Sequence, residues 1–402
     1  MTAMVPDTLP ETATPAVPAF DKTRALWGVV VTFLIHGLVV STWVSRVASV
    51  KSLLHLEDGV FGLALLGAAI GSVTAIPVAG MLVARCGNRA MARWTSLGFC
   101  VVLVLPALAV NAATLFAALL AFGAMAGAND VAMNAQAVAT EKRLGIRAMS
   151  RFHAVFSMGG IAGAAAGALV AGWHTPPLYH LGFAAILLLG VAAAGSWSTP
   201  EAPADKLPVA SGRMFRRVPP ALIALSAIGF CIFLSEGAIA DWTGVYLKQV
   251  IHTTDGFAPI GYAVFSASMA GFRMAGDRIT NRLGGALTVR LGGSLAAAGI
   301  ALAVFVSSPW VVLVGIAAAG AGFSSIIPLV FAAGGRFKSM AEGIGVATVS
   351  GIGYLGFLIG PPATGMISQI SSLRVGLFLL VVLSAAAALL VTVVERRNPE
   401  LW

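Results

Sequence analysis

Residues 80–89 read GMLVARCGNR and residues 273–282 read RMAGDRITNR. The two stretches lie 193 positions apart, and at that shift Arg85, Asn88 and Arg89 fall on Arg278, Asn281 and Arg282. The same shift carries Arg143 onto Arg336, and Gly127, Gly160, Gly163 and Gly167 onto Gly320, Gly353, Gly356 and Gly360. A single offset serving sites so far apart points to a duplicated half of about that length. Two like-oriented apolar halves are the expected build of a secondary transporter, which holds its solute between them.

The surroundings of both stretches are apolar. Apolar residues make up 58% of the chain and charged residues 10%, against roughly 25% charged in a soluble domain. Glycine is abundant, as in packed membrane helices. Such a chain cannot cover a water-facing surface. The net charge of +9 does not make a nucleic-acid binder, because the basic residues form short clusters between apolar runs and no continuous face. Cys86, Cys100 and Cys231 follow no disulfide or metal spacing and read as small buried apolar residues.

A membrane helix needs about 20 apolar residues to cross about 30 Å of hydrocarbon. Twelve runs qualify: 25–46, 58–83, 92–110, 113–140, 152–174, 179–198, 219–248, 257–280, 286–306, 309–334, 342–369 and 373–395. The expected organisation is all-α: a disordered tail at 1–20, a six-helix half at 21–198, a linker at 199–218 and a second six-helix half at 219–402. The first run starts late and is long enough to span, so no cleavable signal peptide is expected. With the N-terminus inside, 21 basic residues fall on inner segments and 4 on outer ones, namely Arg46, Lys51, Lys248 and Arg374. The positive-inside rule then puts both termini in the cytoplasm. Trp27, Trp43, Trp94, Trp173, Trp197, Trp242 and Trp310 fall near run ends, at headgroup level.

The duplicated stretch and the cytoplasmic middle linker resemble the major facilitator superfamily over nearly the whole chain. The family signature between its second and third helices is usually Gly-x-x-x-Asp-Arg-x-Gly-Arg-Arg. Here the first copy carries Ala84 at the acidic position, whereas the second copy keeps Asp277. GANDVAMN at 127–134 and GYLGFLIGPP at 353–362 are similar to the bacterial fucose-permease-like branch. The resemblance implies a carrier in the bacterial inner membrane. It also implies a cytoplasmic gate made by Arg85, Arg89, Asp277, Arg278 and Arg282, with the second-half loop meeting the start of helix five around Ser150 to His153. The alternative for these arginines is topology alone.

Ionisable groups inside the runs carry the functional signal, since each costs a few kcal/mol at the bilayer centre. His36 lies 12 residues past Arg24, about 18 Å along a helix. Asp130 and Glu236 sit comparably deep in the fourth and seventh runs. In the family, helices one, four and seven line the central cavity, so the three residues read as one site. Asn134 follows Asp130 by one turn and shares its face. Asn129 and Gln136 form a second polar stripe, with helix packing as their alternative; a structural histidine is the alternative for His36. Arg46 and Asp241 are placed for a contact closing the outer mouth, or for plain headgroup-level charges. Pro361 and Pro362 are expected to break helix eleven, and Ser339 with Glu342 reads as its capping box.

No nucleotide loop, nucleophile elbow or metal-ligand spacing is present, so an enzyme, a cofactor and a metal are not expected. The expectation is a monomeric carrier for a small polar organic solute, sugar-like at a guess. It is coupled to protons, and His36, Asn129, Asp130, Asn134 and Glu236 line its site. The rivals are proton-driven efflux of amphipathic compounds and a non-transporting solute sensor.

Overall fold

A computed structural model describes residues 22–146, 148–196, 219–337 and 344–402. The expected tail, the 199–218 linker, Trp197 and the Ser339–Glu342 cap lie outside those residues. Among the described residues the chain is helical, without a strand. The first part contains α1 (Lys22–Val44), α2 (Val47–Leu53), α3 (Asp58–Cys86), α4 (Asn88–Val102), α5 (Ala112–Leu144), α6 (Met149–Gly172) and α7 (Pro177–Ser196). The second contains α8 (Pro220–Gln249), α9 (Ile260–Leu283), α10 (Gly285–Phe305), α11 (Pro309–Phe323), α12 (Ile326–Gly335), α13 (Ile344–Ile370) and α14 (Leu373–Arg397).

Local chemistry sets the helix ends. The Asn111 side chain accepts from Thr114 N at 2.9 Å, and Thr114 Oγ1 accepts from Asn111 N at 3.1 Å, a reciprocal cap that starts α5. Gly145, at φ 64°, ends it. Its 33 residues give about 50 Å, well over the hydrocarbon thickness. Both ends of α5 therefore reach past the apolar layer. Pro220 and Pro309 open α8 and α11 at positions where a missing N–H costs nothing.

Among the described residues, ten helical stretches are long and apolar enough to cross a membrane. α9 and α13 are long enough too, at 24 and 27 residues, but α9 carries Arg273, Asp277, Arg278 and Arg282 in its last turns. Several runs are subdivided. The first ends at Ser45–Arg46, beyond which α2 continues the chain, and the tenth breaks at Ser324–Ser325 into α11 and α12. Pro361 and Pro362 bring no N–H to the ladder, yet α13 runs through both without ending. Trp242 Nε1 donates to Pro361 O at 3.2 Å and ties α8 to this turn.

The same pairings recur in both parts of the chain. α1 packs on α6 and α7, α3 on α5, and α4 on α5 and α7. Likewise α8 packs on α13 and α14, α9 on α11, and α10 on α11 and α14. α3 meets α13 and α6 meets α9 across the middle. One backbone approach repeats residue for residue at the 193 shift. A Cβ on Gly127 would lie 2.7 Å from Ser72 O, and one on Gly320 would lie 2.5 Å from Phe265 O. Both are closer than real Cβ atoms come, so glycine sets the helix spacing at both places.

Large apolar side chains cover the outside, with Phe183 70%, Ile186 74% and Leu389 71% exposed. Such a surface suits lipid. Trp27, Trp94, Trp173 and Trp310 are exposed as expected, but Trp43 and Trp242 are buried. Both indoles pack inward, Trp43 against Phe122 and Trp242 edge-on to Phe61. Cys100 and Cys231 are buried, whereas Cys86, at the exposed last turn of α3, is not.

Candidate functional site

Two polar groups meet on α5, and they face different ways. Asn129 is fully buried. Its Nδ2 lies 3.0 Å from His36 Nδ1, and its Oδ1 accepts from Ser96 Oγ at 2.9 Å and Thr95 Oγ1 at 3.0 Å. The His36 ring packs against Phe99 and Phe156. With the Asn129 amide donating, His36 Nδ1 is the acceptor and the ring proton belongs on Nε2. The cluster ties α1, α4 and α5 together. The structure thus brings His36 and Asn129 to each other, in a closed packing contact, and not into hydrogen bonding with Asp130 or Glu236.

Truncating Asn129 would strand the buried Ser96 hydroxyl and the imidazole acceptor. Each such group costs about 1–3 kcal/mol. Asn129→Ala is therefore expected to lower the thermal midpoint of the purified protein by several degrees. An unchanged midpoint would show that the cluster contributes no stability.

Asp130, one residue on, turns toward the space between the two parts of the chain. It is half-buried, and Asn134 Nδ2 donates to its Oδ1 at 3.2 Å and to its backbone oxygen at 2.9 Å. Glu236 on α8 is also half-buried. The Tyr354 hydroxyl on α13 lies within electrostatic range of both carboxylates. Tyr262 on α9 lies within range of Glu236 and Asp241 and hydrogen-bonds Ser266. Asp130, bonded to Asn134, and Glu236 thus act on one tyrosine, and neither Tyr354 nor Tyr262 was singled out by sequence reasoning.

Arg273 was also missed. Counted by sequence among the inner-segment charges, it sits inside α9, within electrostatic range of Glu236 and of His153 on α6. Its Nε donates to Ser324 O at 3.1 Å, a carbonyl at the α11–α12 break. The signal was present, because residue 273 lies inside the 257–280 run, where a charge is costly.

The aromatic wall beside these groups was not legible at all. Tyr354 stacks on Phe233 with centroids 5.2 Å apart and planes 8° apart. Phe357 lies 4.7 Å and Phe331 6.2 Å from Phe233. The rings come from α8, α12 and α13, so no single helix displays them.

The expected Arg46–Asp241 contact is not made. Arg46 is buried and its Nη2 donates to Thr175 O, in the α6–α7 connection. Asp241 instead faces Tyr262. The α1–α2 break turns Arg46 away from α8. Other groups close this end. Lys51 Nζ donates to Gln249 Oε1 at 3.1 Å, and Gly59 N donates to Gln369 Oε1 at 3.0 Å. Lys51 also pairs with Asp58 at 2.7 Å, and Lys248 with Asp255 at 2.6 Å. Phe61 of α3 meets Trp242 of α8 edge-on, 5.6 Å away.

The end carrying the duplicated arginines is arranged differently. Arg85, Asp277, Arg278 and Arg282 are exposed and Arg89 is half-buried. Among the described residues Asp277 makes no hydrogen bond or ion pair. The α6 start that was expected to meet it is served from its own side. Glu141 Oε1 accepts from Ala148 N and, at 2.7 Å, from Met149 N. A carboxylate there satisfies free N–H groups at the positive end of the helix.

A multi-helix membrane bundle, closed at one end around a central polar space, defines a class of membrane carrier. Residues 27–340 match the Major Facilitator Superfamily. The chain belongs to that superfamily and is a multi-pass membrane transporter of it. It is 36% identical to an uncharacterised MFS-type transporter of Yersinia pestis over 89% of this chain and 92% of the relative. It is 31% identical to the membrane protein MosC of Rhizobium meliloti over 90% and 88%. Solved structures share the fold at low identity. A bacterial homologue of the human lysosomal transporter Spinster, inward-facing and unoccupied, gives a TM-score of 0.76 at 15% identity, covering 95% of this chain and 98% of that one. A mutant of the nucleoside transporter NupG gives 0.75 at 11%, covering 93% and 100%.

Proposed function

We propose that this transporter is a secondary carrier that moves a small polar organic solute by alternating access, coupled to protons. Twelve spans form two six-helix halves, 21–198 and 219–402. The recurrent helix pairings and the repeated Gly127 and Gly320 approaches support that division. The arginine end faces the cytoplasm of a bacterial cell and both termini lie there, as the basic-residue bias requires. One observation carries the reading: Asp130 from one half and Glu236 from the other are both within electrostatic range of Tyr354. Carboxylates facing a space between two moving halves can take up and release protons as access alternates.

Asp130, Asn134 and Glu236 line this site, joined by Arg273 and Tyr354. His36 and Asn129 brace it from behind. Arg85, Arg89, Asp277, Arg278 and Arg282 form the inner gate. On closure, Asp277 approaches the α6 start, where Glu141 now sits. A sugar-like solute fits the resemblance to the fucose-permease-like branch. Efflux of amphipathic compounds is a second reading, favoured by the aromatic wall.

The test is reconstitution of the full chain in proteoliposomes with a pH-sensitive dye inside. Sugars, organic acids and amines that shift the thermal midpoint are added outside under an imposed proton gradient. Solute-dependent proton movement is the expected result. Binding without any flux would make the protein a sensor and overturn the carrier reading.

A further inference from the structure

We infer that the space between the halves takes a ring-bearing organic monocation, its positive centre at Asp130 and its ring on Tyr354. The inference names the substrate class of the proposed carrier site and rests on that reading for transport, though not for binding.

Charge balance comes first. Asp130 and Glu236 are two acids, and Arg273, within range of Glu236, is one fixed cation. Among the described residues Asp130 has no ion pair, and its partner Asn134 offers a hydrogen bond without a charge. One half-buried carboxylate is therefore left without a compensating charge, and partial desolvation makes that costly unless a proton or a cation joins it. The shape of the site favours a ring. Tyr354 gives one face to Phe233. It remains 39% exposed, with Phe357 also stacked beside it, 6.3 Å between centroids, and it lies within electrostatic range of Asp130. A cation within about 6 Å of such a face is attracted to its quadrupole, and a planar ring extends the existing stack. A neutral polyol would meet the hydrogen-bonding groups but leave the charge on Asp130 unanswered.

Calorimetry on the full chain in detergent would decide, with benzyltrimethylammonium, benzyl alcohol and glucose as probes. Saturable binding is expected for the ammonium alone. Asp130→Asn should weaken it at least tenfold. Tyr354→Leu should weaken it about tenfold, while Tyr354→Phe, which keeps the ring, should retain it. The leucine and phenylalanine pair decides the matter if the asparagine variant does not fold. Equal binding of benzyl alcohol or glucose, or ammonium binding unchanged in Asp130→Asn or Tyr354→Leu, would overturn the inference. Ammonium binding without counterflow in proteoliposomes would uphold it and remove the carrier reading. Glucose counterflow without ammonium binding would do the reverse.

Discussion

Asp130→Asn is expected to abolish uphill accumulation while leaving downhill exchange at raised solute concentration. The substitution keeps the shape of the side chain and its hydrogen bond with Asn134, and removes the proton site. A coupled carrier moving one proton per solute gains about tenfold accumulation for each unit of pH difference. Without a titratable group at position 130 the accumulation ratio should fall to about one. Solute gradients in proteoliposomes, at fixed and at zero pH difference, measure it. Undiminished proton-driven accumulation by the variant would move the coupling role elsewhere, with Glu236 the next group to test.

Gly365→Val is expected to have an effect of similar size through geometry alone. A Cβ on Gly365 would meet Asp58 O at 2.5 Å, Trp242 Cζ2 at 2.9 Å and Gly62 Cα at 3.1 Å. Two of the three obstacles are backbone of α3, which cannot yield without parting from α13. The valine therefore acts as a wedge at the closed end and penalises the conformation described here. Flux should fall nearly to zero. A cysteine placed at Ala240, which lines the small gap between α1 and α8, should become reactive to a membrane-impermeant reagent. Cys86 must be replaced in that background because it is exposed. Gly80→Val is the control, since open space surrounds that position. Equal labelling of Ala240→Cys with and without the wedge would refute the picture.

What could be read from the sequence follows from which interactions are local. Helical runs need only composition and length, and the 193-residue shift needs only the chain itself. The Asp130–Asn134 face was legible because a one-turn spacing fixes it. The second stripe, Asn129 with Gln136, was legible too, with packing as one of its two readings, but which reading holds for Asn129 was not. It depends on where α1 and α4 cross α5, and adjacent residues differ by about a third of a turn. Arg46 and Asp241 were matched by depth, but depth says nothing of direction, and the kink after α1 turned Arg46 away. The wall of Phe233, Phe331, Tyr354 and Phe357 assembles from three helices and has no sequence signature.

Glu141 has a consequence for how the protein is made. By taking Ala148 N and Met149 N, it caps the start of α6 from within the α5–α6 hairpin. That cap uses no group of α8 to α14, so it can form before any of them has left the ribosome. A helix start capped this early can settle into the bilayer during synthesis, ahead of the helices that follow.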